Sequence, residues 1–332
     1  MKFLPLSLAG AMLALAACTS VPPPVRVAGP LPRPPREFWL DLVSGDEIAP
    51  ADLLEDVATA GVVYAGETHT IARHHAVQLS LLQELFARRV PLVLCLEQLE
   101  ARDQPAVDRY NAREIDFATL AREIDWPSKW RNYLDYQPLC DFARQHGIPV
   151  RGLNAPADLI RAISRGGGVA QLTPEQRAQL PADLRLDDPD YERLTNLQLA
   201  VHVAADPAKL RPMFEAQLAR DEVMAANIVA ARGGPDAGAK RTAFVVLGAG
   251  HTRFGLGTAA SVRRRETGIV ERLILVSESG ELELTAAEKA QSRDVTISHA
   301  DLRSLGRPPG DYVRILPRST HALPAGHPPI TR

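Results

Sequence analysis

Short apolar runs recur along the chain, and stretches with helical periodicity separate them. Each run is continuously apolar, which is typical of strands covered on both faces of a parallel sheet. A strand, a helix and a second strand in this order form a right-handed parallel crossover. The sequence therefore predicts an α/β fold with a mostly parallel sheet flanked by helices. The predicted strands are Gly61–Gly66, Pro91–Leu96, Pro149–Leu153, Thr242–Leu247 and Arg272–Ser277, with a short edge element in Phe38–Ile48.

Two long stretches carry helical periodicity without a strand signal, at about residues 101–135 and 157–232. We interpret them as helical insertions that form an all-helical subdomain within the α/β domain. That domain is expected to span residues 38–280. Residues 281–332, in which proline becomes frequent again, are expected to form a C-terminal extension that is partly disordered.

The charge balance restricts the classes of partner. The 332 residues include 38 Lys and Arg against 40 Asp and Glu, so the formal net charge is −2. Proteins that bind nucleic acid usually present a basic surface. Nucleic acid is therefore not expected as a partner. The hydrophobic fraction of 45% is that of an ordinary globular protein and excludes a wholly disordered chain.

The first eighteen residues have the anatomy of a bacterial export signal. Lys2 is followed by an uncharged run, Phe3–Ala17, that is shorter than the about 20 residues of a membrane-spanning helix. The run ends in Leu15–Cys18, which resembles the lipobox of bacterial lipoproteins. In that class of protein the cysteine is acylated and becomes the mature N-terminus. The alternative is an ordinary signal peptide with an incidental cysteine.

The lipobox resemblance implies that residues 1–17 are a signal peptide and that Cys18 is the lipidation site. Acyl chains on Cys18 would anchor the protein in a membrane. Residues 18–37 are rich in proline and are interpreted as an extended tether. By resemblance to the sorting of enterobacterial lipoproteins, Thr19 in place of an aspartate after the cysteine favours the outer membrane, with the protein facing the periplasm or the cell surface.

Two cysteines remain once Cys18 is set aside. Cys95 falls in an apolar strand pattern and Cys140 in a helical one. We expect two buried free thiols, and a disulfide between them is the alternative.

Two of the predicted strands end in the same pattern, a glycine followed three residues later by a histidine. The pattern occurs at Gly66–His69 and again at Gly248–His251. Ligand sites gather where the carboxyl ends of parallel strands meet. A crevice with two histidines and two carboxylates would suit a divalent metal or acid–base chemistry. The alternative is that these polar residues only cap helices. The residues expected in the crevice are Glu67, His69, Glu97 and His251.

A segment dense in aromatic and basic residues runs from Trp126 to Pro138. The basic residues Lys129 and Arg131 are interleaved there with aromatic residues, which include Trp130, Tyr133 and Tyr136. One interpretation is a wall for a large flat ligand, because a tyrosinate can ligate ferric haem and cations can meet carboxylates. The alternative is a packed corner between a helix and a loop.

These motifs, in their order along the chain, resemble the ChaN-like family of haem-binding lipoproteins. The resemblance covers about residues 55–260. Thr70 departs from the family's opening motif, Gly-Glu-x-His-Asp, in which an acid follows the histidine. The matching residues are Gly66–His69 with His74, His75 and Gln78, then Leu96–Gln98, Trp126–Pro138, Asn154–Pro156, Phe214–Met224 and Gly248–His251.

The resemblance implies an outer-membrane lipoprotein that binds haem and takes part in haem and iron acquisition. It also implies a homodimer with a pair of stacked haems between the protomers, a tyrosine as iron ligand and a TonB-dependent haem receptor as partner. Tyr136 is then the first candidate for the ligand and Tyr133 the second. His202, alone in an apolar helical stretch, is either a core residue or a distal or cross-protomer partner. Arg131 and Lys129 are the candidates for the haem propionates.

The same fold is similar to the wider TraB/Tiki group, whose paired Gly-x-x-His motifs are associated with metal-dependent hydrolysis. A periplasmic metallohydrolase is therefore the alternative function. It would hold a divalent ion between the four crevice residues and keep one coordination position open for water.

Overall fold

The computed structural model describes residues 37–202, 207–233, 240–279 and 306–317. All of them belong to the second of the two units of the chain, Arg33–Arg332. Within these ranges no helix combines the length and the apolar composition that crossing a membrane requires.

The strands and helices of the described residues follow the predicted alternation. The strands are β1 (Phe38–Asp41), β2 (Glu47–Ile48), β3 (Val62–Glu67), β4 (Leu92–Glu100), β5 (Val150–Asn154), β6 (Thr242–Gly248), β7 (Glu271–Ser279) and β8 (Tyr312–Pro317). The helices are α1 (Pro50–Val57), α2 (Ala72–Ala87), α3 (Gln104–Asn111), α4 (Phe117–Glu123), α5 (Trp126–Lys129), α6 (Gln137–Gln145), α7 (Ala157–Gly166), α8 (Pro174–Arg177), α9 (Pro189–His202), α10 (Pro207–Ala231) and α11 (Gly257–Arg265).

One sheet contains these strands, in the order β2-β1-β8-β7-β3-β6-β4-β5. The strands from β8 to β5 run parallel to their neighbours. At the other edge, β1 runs antiparallel to both β8 and β2. The predicted α/β fold with a mostly parallel sheet is confirmed.

Helices cover both faces of the sheet, as the continuous apolar strands require. On β3, Val63 and Ala65 belong to a core cluster with Leu82 and Leu85 of α2. Their neighbours Val62 and Tyr64 point to the opposite face and pack in a second cluster with α10 and α11. Successive side chains of a strand alternate between its faces, so one buried strand contributes to two cores.

Helix α10 belongs to the second helical stretch that the sequence predicted. Its carboxyl-terminal part covers the sheet, because Met224 and Ile228 pack with Val93 and Val245 of the central strands. The stretch is therefore joined to the α/β core through α10. This contact fixes the side chains of α10 relative to the ends of the strands.

The strand β8 comes from the region that the sequence assigned to the C-terminal extension. Tyr312, Val313 and Leu316 are buried there, and β8 lies between β1 and β7. The sheet therefore continues beyond residue 280, where the domain was expected to end. The six residues of β8 lie in a proline-rich part of the chain, and no long apolar run marks them in the sequence.

Cys95 and Cys140 are both buried and free, so the expectation of two buried thiols is confirmed. They belong to the core clusters of opposite faces of the sheet. Burial raises the pKa of the Cys95 thiol to about 12, so it stays protonated at neutral pH.

Candidate functional site

The carboxyl ends of three neighbouring strands form the crevice that the sequence predicted. β6 lies between β3 and β4 in the sheet. Glu67, the last residue of β3, stands opposite Gly248, the last residue of β6. Glu97 lies on β4, and His251 follows β6 in a short 3-10 helix, Ala249–His251. The structure thus brings together the four side chains singled out from the paired motifs.

Gly248 allows the imidazole of His69 to enter this crevice. A Cβ atom on Gly248 would lie 2.7 Å from Nε2 of His69, which is closer than carbon atoms approach polar atoms in folded proteins. The backbone N–H of Gly248 also donates a hydrogen bond of 2.7 Å to Glu97. The glycine therefore provides both the space for His69 and a donor for the neighbouring carboxylate.

The carboxylate of Glu67 accepts hydrogen bonds from several directions. His69 Nδ1 lies 2.8 Å from its Oε1, and His75 Nδ1 lies 3.1 Å from its Oε2. Burial alone would raise the pKa of Glu67, but the bonds to the two histidines outweigh burial and lower it to about 2. Further donors to this carboxylate are Gln78 at 2.8 Å, Gln98 at 3.0 Å and the Tyr136 hydroxyl at 2.6 Å.

Glu97 and His251 form the second half of the crevice. Glu97 Oε1 lies 3.2 Å from His251 Nε2, and Glu97 Oε2 lies 3.9 Å from His69 Nε2. On its other side, His251 Nδ1 lies 2.6 Å from Asp221 of α10. Asp221 also accepts hydrogen bonds of 2.7 Å from Tyr191 and from Thr258. The side chains therefore alternate in sign from Glu67 through His69, Glu97 and His251 to Asp221.

This alternation favours the charged form of each group, because it raises the pKa of the histidines and lowers that of the carboxylates. Burial lowers the pKa of His251, but the charges of Glu97 and Asp221 more than compensate and raise it to about 10. Burial likewise opposes the ionisation of Glu97, and the adjacent imidazoles of His251 and His69 hold its pKa well below its ordinary value. The pKa of His69 is raised by Glu97 and Glu67 against the effect of burial. The imidazole of His251 is therefore charged at neutral pH.

The alternating chain is arranged to hold and move protons. The side chain of His69 is 32% exposed, whereas those of Glu67, Glu97 and Asp221 are fully buried. His69 therefore connects solvent with the buried carboxylates of Glu67 and Glu97 on either side of it.

A metal centre finds no support in this geometry. Within the described ranges, no group of three or more His, Cys, Asp and Glu side chains is arranged to hold a metal ion. The physical reason is that the imidazole nitrogens of His69 and His251 face carboxylate oxygens. The nitrogen and oxygen atoms that would bind an ion are paired with one another instead.

Tyr136, the first candidate for an iron ligand, lies in the protein interior. Its ring is fully buried and stacks on Trp126, with ring centroids 6.5 Å apart. Its hydroxyl donates to Glu67, as described above. Burial and the charge of Glu67 raise the pKa of Tyr136 far above its ordinary value, which disfavours the tyrosinate. The sequence did not show that the Tyr136 side chain points into the crevice, so its role as a hydrogen-bond donor to Glu67 was not predicted.

The other candidates of the aromatic segment lie nearer the surface. Tyr133 is half-buried and stacks on Phe117, with ring centroids 6.2 Å apart and an angle of 2° between the planes. Of the two cations predicted for the haem propionates, Arg131 is exposed, whereas Lys129 forms an ion pair with Asp103 at 2.9 Å. The side chain of His202 and all of Cys18 lie outside the described residues.

Several residues that contact the crevice side chains were not among the predicted site residues. They include Asp221, His75, Gln78 and Gln98, all of which are buried. A usable signal existed for Asp221, because Arg220–Glu222 places three consecutive charges in a helix that is otherwise rich in apolar residues. His75 and Gln98 belong to quoted motifs, but only the fold reveals that both contact Glu67.

One family model and one solved structure, that of ChaN of Campylobacter jejuni, agree with this architecture. Residues 53–262 match the family model described as haem-binding uptake, Tiki superfamily, ChaN. Among solved structures, ChaN of Campylobacter jejuni is similar to this chain at 18% identity with a TM-score of 0.61, covering 86% of this chain and 99% of its own. A Bacillus cereus protein matches at 13% identity with a TM-score of 0.44, covering 80% and 90%.

No curated protein sequence matches the chain significantly. The family model nevertheless spans more than half of the 332 residues, including both strand-end motifs, the aromatic segment and α10. The chain belongs to the ChaN family of haem-binding uptake proteins in the Tiki superfamily.

Proposed function

We propose that this protein binds haem on the surface formed by residues Trp130–Leu134, next to the crevice. The observation that carries the proposal is the composition of this surface. Leu134 is 56% exposed, Trp130 and Tyr133 are half-buried, and Arg131 is exposed with no ion pair among the described residues. Haem is a flat apolar ring with two carboxylates, so apolar contacts beside a free cation fit it. The family assignment supports the same ligand.

Tyr133 is the iron ligand that this surface offers. Its hydroxyl has no hydrogen-bond partner in the part of the chain that the structure describes, whereas the hydroxyl of Tyr136 is engaged by Glu67. Using Tyr136 would require breaking that buried bond and exposing the ring. Bound haem would supply an iron centre, and tyrosinate is a known axial ligand of haem iron.

A haemin titration of the chain from Thr19 onward tests this proposal. We expect saturable binding with the absorbance of a tyrosinate complex. Tyr133→Phe removes one hydroxyl and should weaken binding by about tenfold or more and abolish that absorbance. Tyr136→Phe removes the same group from the interior and is the matched control, which should keep the spectrum. Haemin that fails to saturate the folded protein, or an unchanged spectrum in Tyr133→Phe, would contradict the proposal.

The proposal extends to a homodimer that holds a pair of stacked haems between its protomers. One solved structure similar to this chain, that of ChaN of Campylobacter jejuni, shows cofacial haem binding. An exposed Leu134 next to a half-buried Trp130 is also the kind of apolar surface that a second haem or protomer would cover. Size-exclusion measurements along the titration should therefore show haem-dependent dimers.

We also propose a lipid-anchored location at the outer membrane and a role in haem and iron acquisition, with a TonB-dependent receptor as the transfer partner. The lipobox at Cys18 supports the anchor. Cys18→Ser should move the protein from the membrane fraction to the soluble fraction, because the thiol that carries the acyl chains is lost. Labelling with radioactive palmitate and fractionation would measure this. A serine variant that stays membrane-bound would contradict the anchor, and Cys95→Ser is the control.

A further inference from the structure

A cavity of about 460 Å³ opens next to the crevice and is lined by basic side chains. Its volume lies within the about 300–1,000 Å³ of small-molecule sites. The indole of Trp130 lies between the cavity and the crevice. It lines the cavity and also packs edge-on against the His69 ring, with ring centroids 4.9 Å apart. Four cationic side chains line the cavity, namely Arg102, Lys129, Arg161 and Arg220.

Two of these cations are neutralised within the protein. The carboxylate in the cavity, Glu100, lies 2.5 Å from Arg102 and 3.6 Å from Lys129. Arg102 also pairs with Asp158 at 2.9 Å, and Lys129 pairs with Asp103. The existing ion pairs therefore weaken the attraction of Arg102 and Lys129 for a negatively charged ligand.

Arg161 and Arg220 are not paired in this way, although the charge of Arg220 acts on Glu97 and helps to lower the pKa of that carboxyl. Neither guanidinium forms an ion pair or a hydrogen bond within the described ranges. The Nε atom of Arg220 is buried without a hydrogen-bond partner. A buried donor without a hydrogen-bond partner lowers the stability of the folded protein. A bound ligand that accepts a hydrogen bond from Arg220 would remove this cost. The planar guanidinium matches the oxygen atoms of carboxylates and phosphates.

Asn154 supplies a second polar group without a partner in the same cavity. This residue ends β5 and is 6% exposed, and its Nδ2 donates a hydrogen bond of 3.0 Å to the backbone oxygen of Glu97. Its Oδ1 is buried and accepts no hydrogen bond. The cavity thus offers an acceptor to a ligand hydroxyl beside the donors of Arg220.

From these observations we infer that the cavity is a binding site for a small ligand that carries an oxyanion, with Arg220 and Arg161 as its cationic partners. A carboxylate or a phosphate group satisfies the unpartnered guanidinium atoms, and Trp130 provides a flat apolar wall for the rest of the ligand. Neither arginine belongs to the surface at Trp130–Leu134, so the oxyanion site does not depend on haem binding, although Trp130 borders both places.

Inorganic phosphate is the probe that tests this site. We expect saturable binding by calorimetry when phosphate replaces chloride at constant ionic strength. Arg220→Gln and Arg161→Gln should each weaken this binding, Arg220→Gln by about tenfold or more because a charged hydrogen-bond donor is lost. Arg165→Gln removes the same charge from an exposed position of α7 outside the cavity and should bind phosphate like the unmodified protein.

A wild-type protein without saturable phosphate binding would overturn the inference, as would equal affinities in Arg220→Gln and Arg165→Gln. Arg161 is exposed, so its variant keeps the test valid if Arg220→Gln fails to fold. A haemin titration with and without saturating phosphate distinguishes the two sources of the oxyanion. Competition would identify a haem propionate in the cavity, and independence would identify a separate small ligand.

Discussion

Replacement of Glu97 by Gln is expected to lower the free energy of unfolding by about 3–5 kcal/mol, the usual cost of removing one partner of a buried ion pair. Glu97 is 1% exposed and stands between the imidazoles of His69 and His251. A neutral amide leaves both imidazoles without the shared negative charge. An amide has only one acceptor oxygen, so its N–H₂ group must face either the backbone N–H of Gly248 or the imidazole of His251.

Urea unfolding near neutral pH, followed by circular dichroism, measures this change. Glu123→Gln is the matched control, because Glu123 pairs with Arg109 at 2.9 Å but its side chain is 34% exposed. The control should change stability by no more than about 0.5 kcal/mol, since exposed ion pairs contribute little. Equal effects of the two substitutions would show that the crevice does not depend on the charge of Glu97.

The second large effect is a loss of stability at alkaline pH. The pKa of His251 is raised from 6.5 to about 10 in the folded protein, so the folded state binds this proton more tightly than the unfolded state. The resulting stabilisation is complete below pH 6.5 and disappears as the pH rises towards about 10. Across this window the free energy of unfolding should fall by up to about 1.4 kcal/mol per pH unit.

Urea titrations at several pH values within this window measure the slope. Asp221→Asn removes one of the two carboxylates that raise the pKa of His251, so its stability should depend less steeply on pH. The comparison of slopes separates His251 from groups that titrate elsewhere in the molecule. Parallel curves for the two proteins would contradict the assignment of the alkaline loss to His251.

The acid side of the profile has the opposite sign. The pKa of Glu67 is lowered from 4.5 to about 2, so its contribution to stability is present above pH 4.5 and is lost as the pH falls towards 2. The crevice is therefore most stabilising between the two windows.

The sequence predicted the parallel sheet and the meeting of Glu67, His69, Glu97 and His251 for one physical reason. Continuous apolar strands imply a parallel sheet, and a parallel sheet brings all the carboxyl ends of its strands to one edge. Residues immediately after strands are then close in space, however far apart they are in the chain. This reasoning needs only the position of each strand end.

The direction of side chains in irregular segments could not be predicted in the same way. Tyr133 and Tyr136 occupy one short 3-10 helix, yet one is half-buried and the other donates to Glu67 in the interior. Asp221 is brought to His251 by the packing of α10 on the sheet, which no local pattern specifies. Arg220, the next residue in α10, lines the cavity because it projects from a different side of the helix.

The position of β8 between β1 and β7 has a consequence for the order in which the domain is assembled during synthesis. β1 is among the first described residues to be made and β8 among the last, yet each needs the other as a hydrogen-bonded neighbour. Until Tyr312–Pro317 has been translated, β1 has only the two-residue strand β2 as a neighbour and β7 presents an open edge. A chain truncated before this strand would expose that edge to other chains and would be prone to aggregate.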